Sequence, residues 1–159
     1  MTATTNLTPY ETERNKPLPN LIHGVIQTKI STLLTLDYGK EYLFPNELSL
    51  DTHPGSTPDI CIYKKRKLSV LDVASKESEA PITTIEIQSP SQSIDELLIK
   101  VHQLYFPMGV QSAWIVIPAL KSIQIVLPNK ENLVFTKGKL KDPVTNLEVE
   151  VERVFEDLV

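Results

Sequence analysis

The chain has 159 residues, 16 basic and 20 acidic side chains, a formal charge of −4, and 41% hydrophobic against 6% aromatic positions. That is ordinary globular composition, enough for one core and too short for two large domains, which excludes a disordered or fibrous protein. The acidic balance argues against coating nucleic acid or an anionic membrane through bulk charge. The single cysteine, Cys61, excludes an internal disulfide and any multi-cysteine metal site, in keeping with a reducing compartment. The longest apolar stretch, Ala113 to Leu120, falls far short of the ~20 residues a bilayer helix needs. The polar N-terminus also lacks the basic flank and apolar segment of a signal peptide, so a cytoplasmic protein with no membrane partner is expected.

Residues 1–16 are threonine-rich and carry no periodicity; they are expected to be a flexible arm ahead of a single domain over 17–159. Leu21, Ile22, Val25, Ile26, Ile30, Leu33 and Leu34 recur at helical spacing and predict an amphipathic helix over roughly 20–36. Strands are expected over Tyr42–Asp51, Asp59–Tyr63 and Ile82–Gln88 from their alternation. In the second of these Ile60 and Ile62 oppose Asp59, Cys61 and Tyr63; in the third Ile85 and Ile87 oppose Thr84, Glu86 and Gln88. The basic run Lys64–Lys67 and the polar stretch around 75–79 read as a loop or hairpin. Ser93 to Glu96 has the S-x-x-E spacing of a capping box. Behind it Ile94, Leu97, Leu98, Val101, Leu104, Tyr105 and Met108 form an apolar stripe that ends at Gly109. Strands follow over 111–117, 122–127 and 132–135, then Leu147–Val151 and a last short turn of helix. A strand feeding a capped helix and another apolar strand is a crossover with parallel pairing. The fold class is therefore α/β (α+β), a mixed sheet flanked by helices.

Two acids stand where a metal site would place them. Asp59 opens one strand and Glu86 nears the end of another, so neighbouring strands would bring the carboxylates together. Oxygen-only ligands with positions left for water and phosphate suit Mg2+ or Mn2+ rather than zinc. Alternation puts Gln88 on the side of Glu86, and the backbone carbonyl of Ile87 is a further neutral ligand. Edge or solvent-face acids meet the same pattern, so spacing alone leaves both readings open. At 100° per residue Lys100 lies ~40° beyond Leu104, on the flank of the apolar stripe. Helical side chains lean toward the N-terminus, so its ammonium can reach the end of the Glu86 strand. A snorkelling surface lysine fits the same position. The chain holds no H-E-x-x-H, P-loop or G-x-G-x-x-G spacing.

Several segments form an ordered set: P-D-I-C-I-Y at 58–63, I-E-I-Q-S-P-S at 85–91, the helix with Asp95, Lys100 and Tyr105, and G-V-Q-S-A-W-I-V-I-P at 109–118. With H-G-V-I-Q at 23–27 and N-E-L-S-L-D at 46–51, the set resembles the Uma-two type family of restriction-endonuclease-like proteins, a branch of the PD-(D/E)xK nuclease superfamily. The similarity covers roughly residues 17–127. It implies a restriction-endonuclease-like fold in which Asp59 and Glu86 match the superfamily's metal acids. The usual lysine two residues after the glutamate is Gln88 here, and Lys100 matches the position to which that lysine has migrated in this family. His23 and Gln27 would face the site from the first helix, where other branches place a glutamate; Glu47 matches a recurrent acid without an evident role.

The resemblance implies a Mg2+-dependent endonuclease that hydrolyses phosphodiesters of duplex or branched DNA, as a homodimer because duplex cleavage needs two sites. The catalytic set would be Asp59, Glu86, Gln88 and Lys100, with the cation held by Asp59, Glu86 and the Ile87 carbonyl. A catalytically degenerate protein of the same fold, acting as a DNA-binding or protein-interaction module, is the alternative, and an unrelated α/β domain with a structural acid pair is a third. The charge of −4 predicts weak, metal-dependent and locally steered DNA contact.

Overall fold

The computed structural model describes Pro9 and residues 16–159. The expected arm therefore lies outside the described residues except for Pro9 and Lys16, and Lys16 is buried.

The first helix, α1, runs over Leu21–Tyr38 and starts where the Asn20 side chain accepts the His23 amide at 2.9 Å. It stops at Gly39, whose amide reaches the Thr35 carbonyl; a Cβ there would sit 2.5 Å from that oxygen, so only glycine fits. Strand β1 is only Tyr42–Leu43, which corrects the longer strand expected through Asp51. Pro45 interrupts the ladder and Glu47 turns the backbone to φ 53°, leaving only isolated bridges at Asn46 and Leu50. Strands β2 (Ile60–Lys64) and β3 (Thr83–Ile87) follow, joined by a long loop that contains the basic run.

The second helix, α2, spans 94–108 in three parts: α-helical Ile94–Lys100, a π-helical turn Val101–Tyr105, and α-helical Phe106–Met108. Ser93 caps it by accepting the Glu96 amide at 3.1 Å, and Gly109 closes it at φ 120°, a backbone conformation that side-chain-bearing residues avoid. Then come β4 (Ser112–Ile117), β5 (Ser122–Val126) and β6 (Leu133–Phe135). A separate two-stranded sheet joins β7 (Lys139–Lys141), which no alternation signalled, to β8 (Glu148–Glu150), and α3 (Val151–Val154) follows.

The main sheet has six strands in the order β1-β2-β3-β4-β5-β6. All neighbours are antiparallel except β3 and β4, the pair that α2 connects, as the crossover argument expects. Alternation sorts each strand between two apolar layers. Ile60, Ile62, Ile85, Ile87, Trp114 and Val116 pack with Ile26, Ile30 and Leu34 of α1 and with the C-terminal segment. Cys61, Tyr63, Ala113 and Ile115 pack with Leu97, Val101 and Tyr105 of α2. The C-terminal segment is pinned by Asp142, wholly buried, whose Oδ2 accepts from Ser112 Oγ and Trp114 Nε1, both at 2.7 Å. The site forms where β2 begins and β3 ends, between the two helices.

Candidate active site

Strand register brings the two acids together. Ile60 faces Ile85 and Cys61 faces Thr84, so one step beyond the paired residues Asp59 comes opposite Glu86. Residues so placed have Cβ atoms roughly 5 Å apart. Both are buried, Asp59 completely and Glu86 to 1% exposure. Unpaired charges are not held at such depth, so each oxygen needs an account.

Asp59 Oδ2 accepts the Ile87 amide at 2.7 Å and lies 3.1 Å from His23 Nε2. The N–H and C=O of one strand residue project from the same edge, so the Ile87 carbonyl is directed at this edge too. The backbone carbonyl of Asp59 accepts from Gln27 Nε2 and from the Glu47 amide, each at 3.0 Å. His23 and Gln27, one turn apart on α1, therefore clamp the start of β2, and the left-handed turn at Glu47 closes over it. The remaining oxygen, Oδ1, accepts from Lys16 Nζ at 2.6 Å. That ammonium is also 3.6 Å from Glu47 Oε2.

Glu86 Oε1 accepts the Tyr105 hydroxyl at 2.8 Å, while Oε2 makes no hydrogen bond among the described residues and lies 3.6 Å from Lys100 Nζ. The π turn makes this convergence possible. An α-helix would set Tyr105 roughly 140° around the axis from Lys100. The Phe106 amide instead reaches back to the Val101 carbonyl, and this wider turn brings Tyr105 round toward the side of Lys100. Lys100 and Tyr105 thus approach one carboxylate from successive turns.

These contacts set the charge states. Burial pushes Asp59 up, but the His23 hydrogen bond, the Lys16 ammonium and the Ile87 amide outweigh it and hold the carboxyl down to about 2. Burial lowers Lys16, and the carboxylates of Glu86, Asp59 and Glu47 reverse that and leave it raised. Burial and the adjacent Glu86 drive Tyr105 well up, so its hydroxyl stays a donor. Burial likewise pushes the Cys61 thiol up, with Glu86 adding to it, which leaves it no nucleophile.

Asp59, Glu86, the Ile87 amide and Lys100 are thus brought together in the fold. Gln88 does not join them: its Nε2 donates to the Gln92 carbonyl at 2.9 Å, and Gln92 Oε1 accepts the Ser89 amide, so Gln88 builds the S-P-S loop. The basic run leaves β2 at the end opposite Asp59, about 16 Å away at strand rise. There Lys65 bonds the Gly39 carbonyl, and Arg66 pairs with Glu79 at 2.7 Å. Lys16 and Tyr105 escaped the site reading. For Lys16 no pattern existed, whereas a tyrosine in an apolar stripe always requires a partner for its hydroxyl.

The residues fit a hard divalent cation. The donors are oxygens, two of them from opposed buried carboxylates, and one oxygen of Glu86 is left without a hydrogen bond. Among the described residues no three or more His, Cys, Asp or Glu side chains are grouped to enclose a metal. A cation held here would therefore rest on two carboxylates, with waters and substrate phosphates left to complete its shell. No described helix is long and apolar enough to cross a membrane.

Comparison with known proteins agrees with this fold. The family model Uma2, described as "Putative restriction endonuclease", matches residues 11–156. The crystal structure of a "putative nuclease belonging to DUF820" from Anabaena variabilis ATCC 29413 is similar at a TM-score of 0.74 and 22% identity, covering 90% of this chain and 85% of that one. At that identity the likeness shows the fold. No curated protein matches the chain.

Proposed function

The chain belongs to the Uma2 family of restriction-endonuclease-like proteins, and from that premise we propose that it is a Mg2+- or Mn2+-dependent endonuclease acting on DNA. The observation that carries this is the register that sets Asp59 opposite Glu86, with Oε2 of Glu86 buried and without a hydrogen bond among the described residues. Asp59, Glu86 and the Ile87 carbonyl would hold the cation, which supplies Lewis-acid charge neutralisation and an activated water when bound.

The protein's own groups do the rest. Tyr105 fixes Glu86 through Oε1 and leaves Oε2, near Lys100, without a hydrogen bond among the described residues. His23 and the Ile87 amide fix Asp59 through Oδ2, so Oδ1 of Asp59 and Oε2 of Glu86 are the oxygens left for a cation. Lys100, 3.6 Å from Oε2, stabilises a phosphate oxygen or orients the attacking water. Gln88, its NH2 held by Gln92, contributes at most its side-chain oxygen to ordering that water. A homodimer would supply the two sites that duplex cleavage needs. One observation favours the non-catalytic reading, in which the same fold binds DNA or a protein partner: Lys16 already neutralises Asp59.

Incubation of the purified protein with plasmid and Mg2+ separates the two. Nicking or linearisation that disappears in Asp59→Ala and with chelator supports the nuclease. Cleavage that persists in Asp59→Ala refutes the site. Binding to DNA should weaken with salt, by roughly 0.9 in log–log slope for each phosphate neutralised; a flat response removes DNA as the partner.

A further inference from the structure

Lysine is among the residues least often fully buried, yet Lys16 is 5% exposed and its ammonium lies inside the acid cluster. Its position is specific to one atom. Asp59 Oδ2 is already engaged by the Ile87 amide and His23, so Oδ1 is the oxygen left for a cation, and Oδ1 is the one that Lys16 takes at 2.6 Å. Across the gap Glu86 repeats the arrangement: Oε1 is held by Tyr105, and Oε2 carries no hydrogen bond among the described residues. Glu47 Oε2 approaches the same ammonium from a third side at 3.6 Å. One ammonium of the chain itself therefore bridges Asp59 and Glu47, within the field of Glu86.

We propose that Lys16 is an internal competitor for the divalent cation: its ammonium holds the gap between Asp59, Glu86 and Glu47 in the metal-free protein, and a divalent cation enters only by expelling it. The inference rests on the reading of Asp59 and Glu86 as cation ligands. Its physical basis is exclusion. A divalent ion on Asp59 Oδ1 and an ammonium at hydrogen-bond distance from the same oxygen are like charges that cannot share it. The ammonium also has a structural use, since without it the buried acids would repel one another. The protein thus stays folded without metal, and its apparent metal affinity falls by the fraction of molecules in which Lys16 has withdrawn. If Lys16 is docked in nine molecules of ten, apparent affinity is about tenfold below the intrinsic value.

The test is a Mn2+ titration of the full chain, followed by the electron paramagnetic resonance of free Mn2+, for wild type, Lys16→Met, Lys16→Arg and Asp59→Asn. Competition predicts that Lys16→Met binds Mn2+ about tenfold tighter or more than wild type, that Lys16→Arg gains nothing, and that Asp59→Asn loses the site. Unchanged or weaker affinity in Lys16→Met, with binding still abolished in Asp59→Asn, overturns the competitor role and leaves the cation site standing. No binding by wild type or by Lys16→Met refutes the cation reading, and this inference with it. Because Lys16→Met exposes buried acids to mutual repulsion, wild type supplies a second measurement that needs no variant. Reductive methylation mapped by mass spectrometry should find Lys16 protected without metal and reactive at saturating Mn2+, with exposed Lys139 reactive in both. Continued protection of Lys16 in the Mn2+-bound protein would also overturn the proposal.

Discussion

Removing the Tyr105 hydroxyl isolates the contact that holds Glu86 in place. Tyr105→Phe keeps the ring, which is wholly buried among Leu97, Val101 and Ile115, and deletes only the 2.8 Å bond to Oε1. Glu86 is itself buried, so water cannot replace the donor, and a hydrogen bond to a charged group of this kind contributes about 1.5–3 kcal/mol. With Oε2 already lacking a hydrogen bond, Tyr105→Phe should lower the stability of the metal-free protein by roughly 2 kcal/mol, or about 4–8 °C in Tm for a chain of this size. Urea unfolding followed by circular dichroism, at fixed pH and with chelator present, measures it. The double-mutant cycle with Glu86→Gln assigns it, because the loss should shrink when the carboxylate is already gone. A loss below about 0.5 kcal/mol, or a cycle with no coupling, would refute the claim that this bond orients Glu86.

Further outcomes follow from other contacts. Lys100→Met should lower plasmid cleavage by about 10²–10³-fold, the usual cost of one positioned charge stabiliser; a rate within twofold of wild type would remove Lys100 from the mechanism. Asp142→Ala leaves Ser112 Oγ, Trp114 Nε1 and the Val144 amide without their acceptor, so thermal unfolding should report a loss of about 3 kcal/mol or more, and a variant of near-native stability would show that pin to be unimportant. The Asp59 carboxyl, depressed from an ordinary 3.8 to about 2, binds its proton more weakly folded than unfolded. Its contribution of roughly 2 kcal/mol is therefore present above about pH 4 and lost as pH falls through the folded value near 2. Acid unfolding of the metal-free protein should show that slope in wild type and not in Asp59→Asn.

Much of this was legible from residue pattern because the sheet is buried on both faces by different partners. Ile60 and Ile62 meet α1 while Cys61 and Tyr63 meet α2, so alternation carried real information, and it extended by one residue to place Asp59. The capping box and the strands around it revealed the single parallel pair. Lys100 was readable from its angle because it precedes the π turn, where 100° per residue still holds. The convergence of Tyr105 on the same acid was not, since bonding over five residues leaves an apolar stripe looking like any other. Tyr42–Asp51 alternates like a strand, but alternation does not register what Pro45 and the positive φ at Glu47 do to a ladder. Lys16 follows no period at all. Its place is decided by three acids distant in sequence, and only the fold brings them to one point.

The central claim is that Asp59 and Glu86 share one divalent cation. Anomalous diffraction from crystals of the wild-type protein soaked in Mn2+ tests it directly. The account predicts one strong peak within roughly 2.1 Å of Asp59 Oδ1 and of Glu86 Oε2, with the Lys16 ammonium moved off Oδ1. A peak elsewhere, or none at saturating Mn2+ with Lys16 still on Asp59, would contradict it.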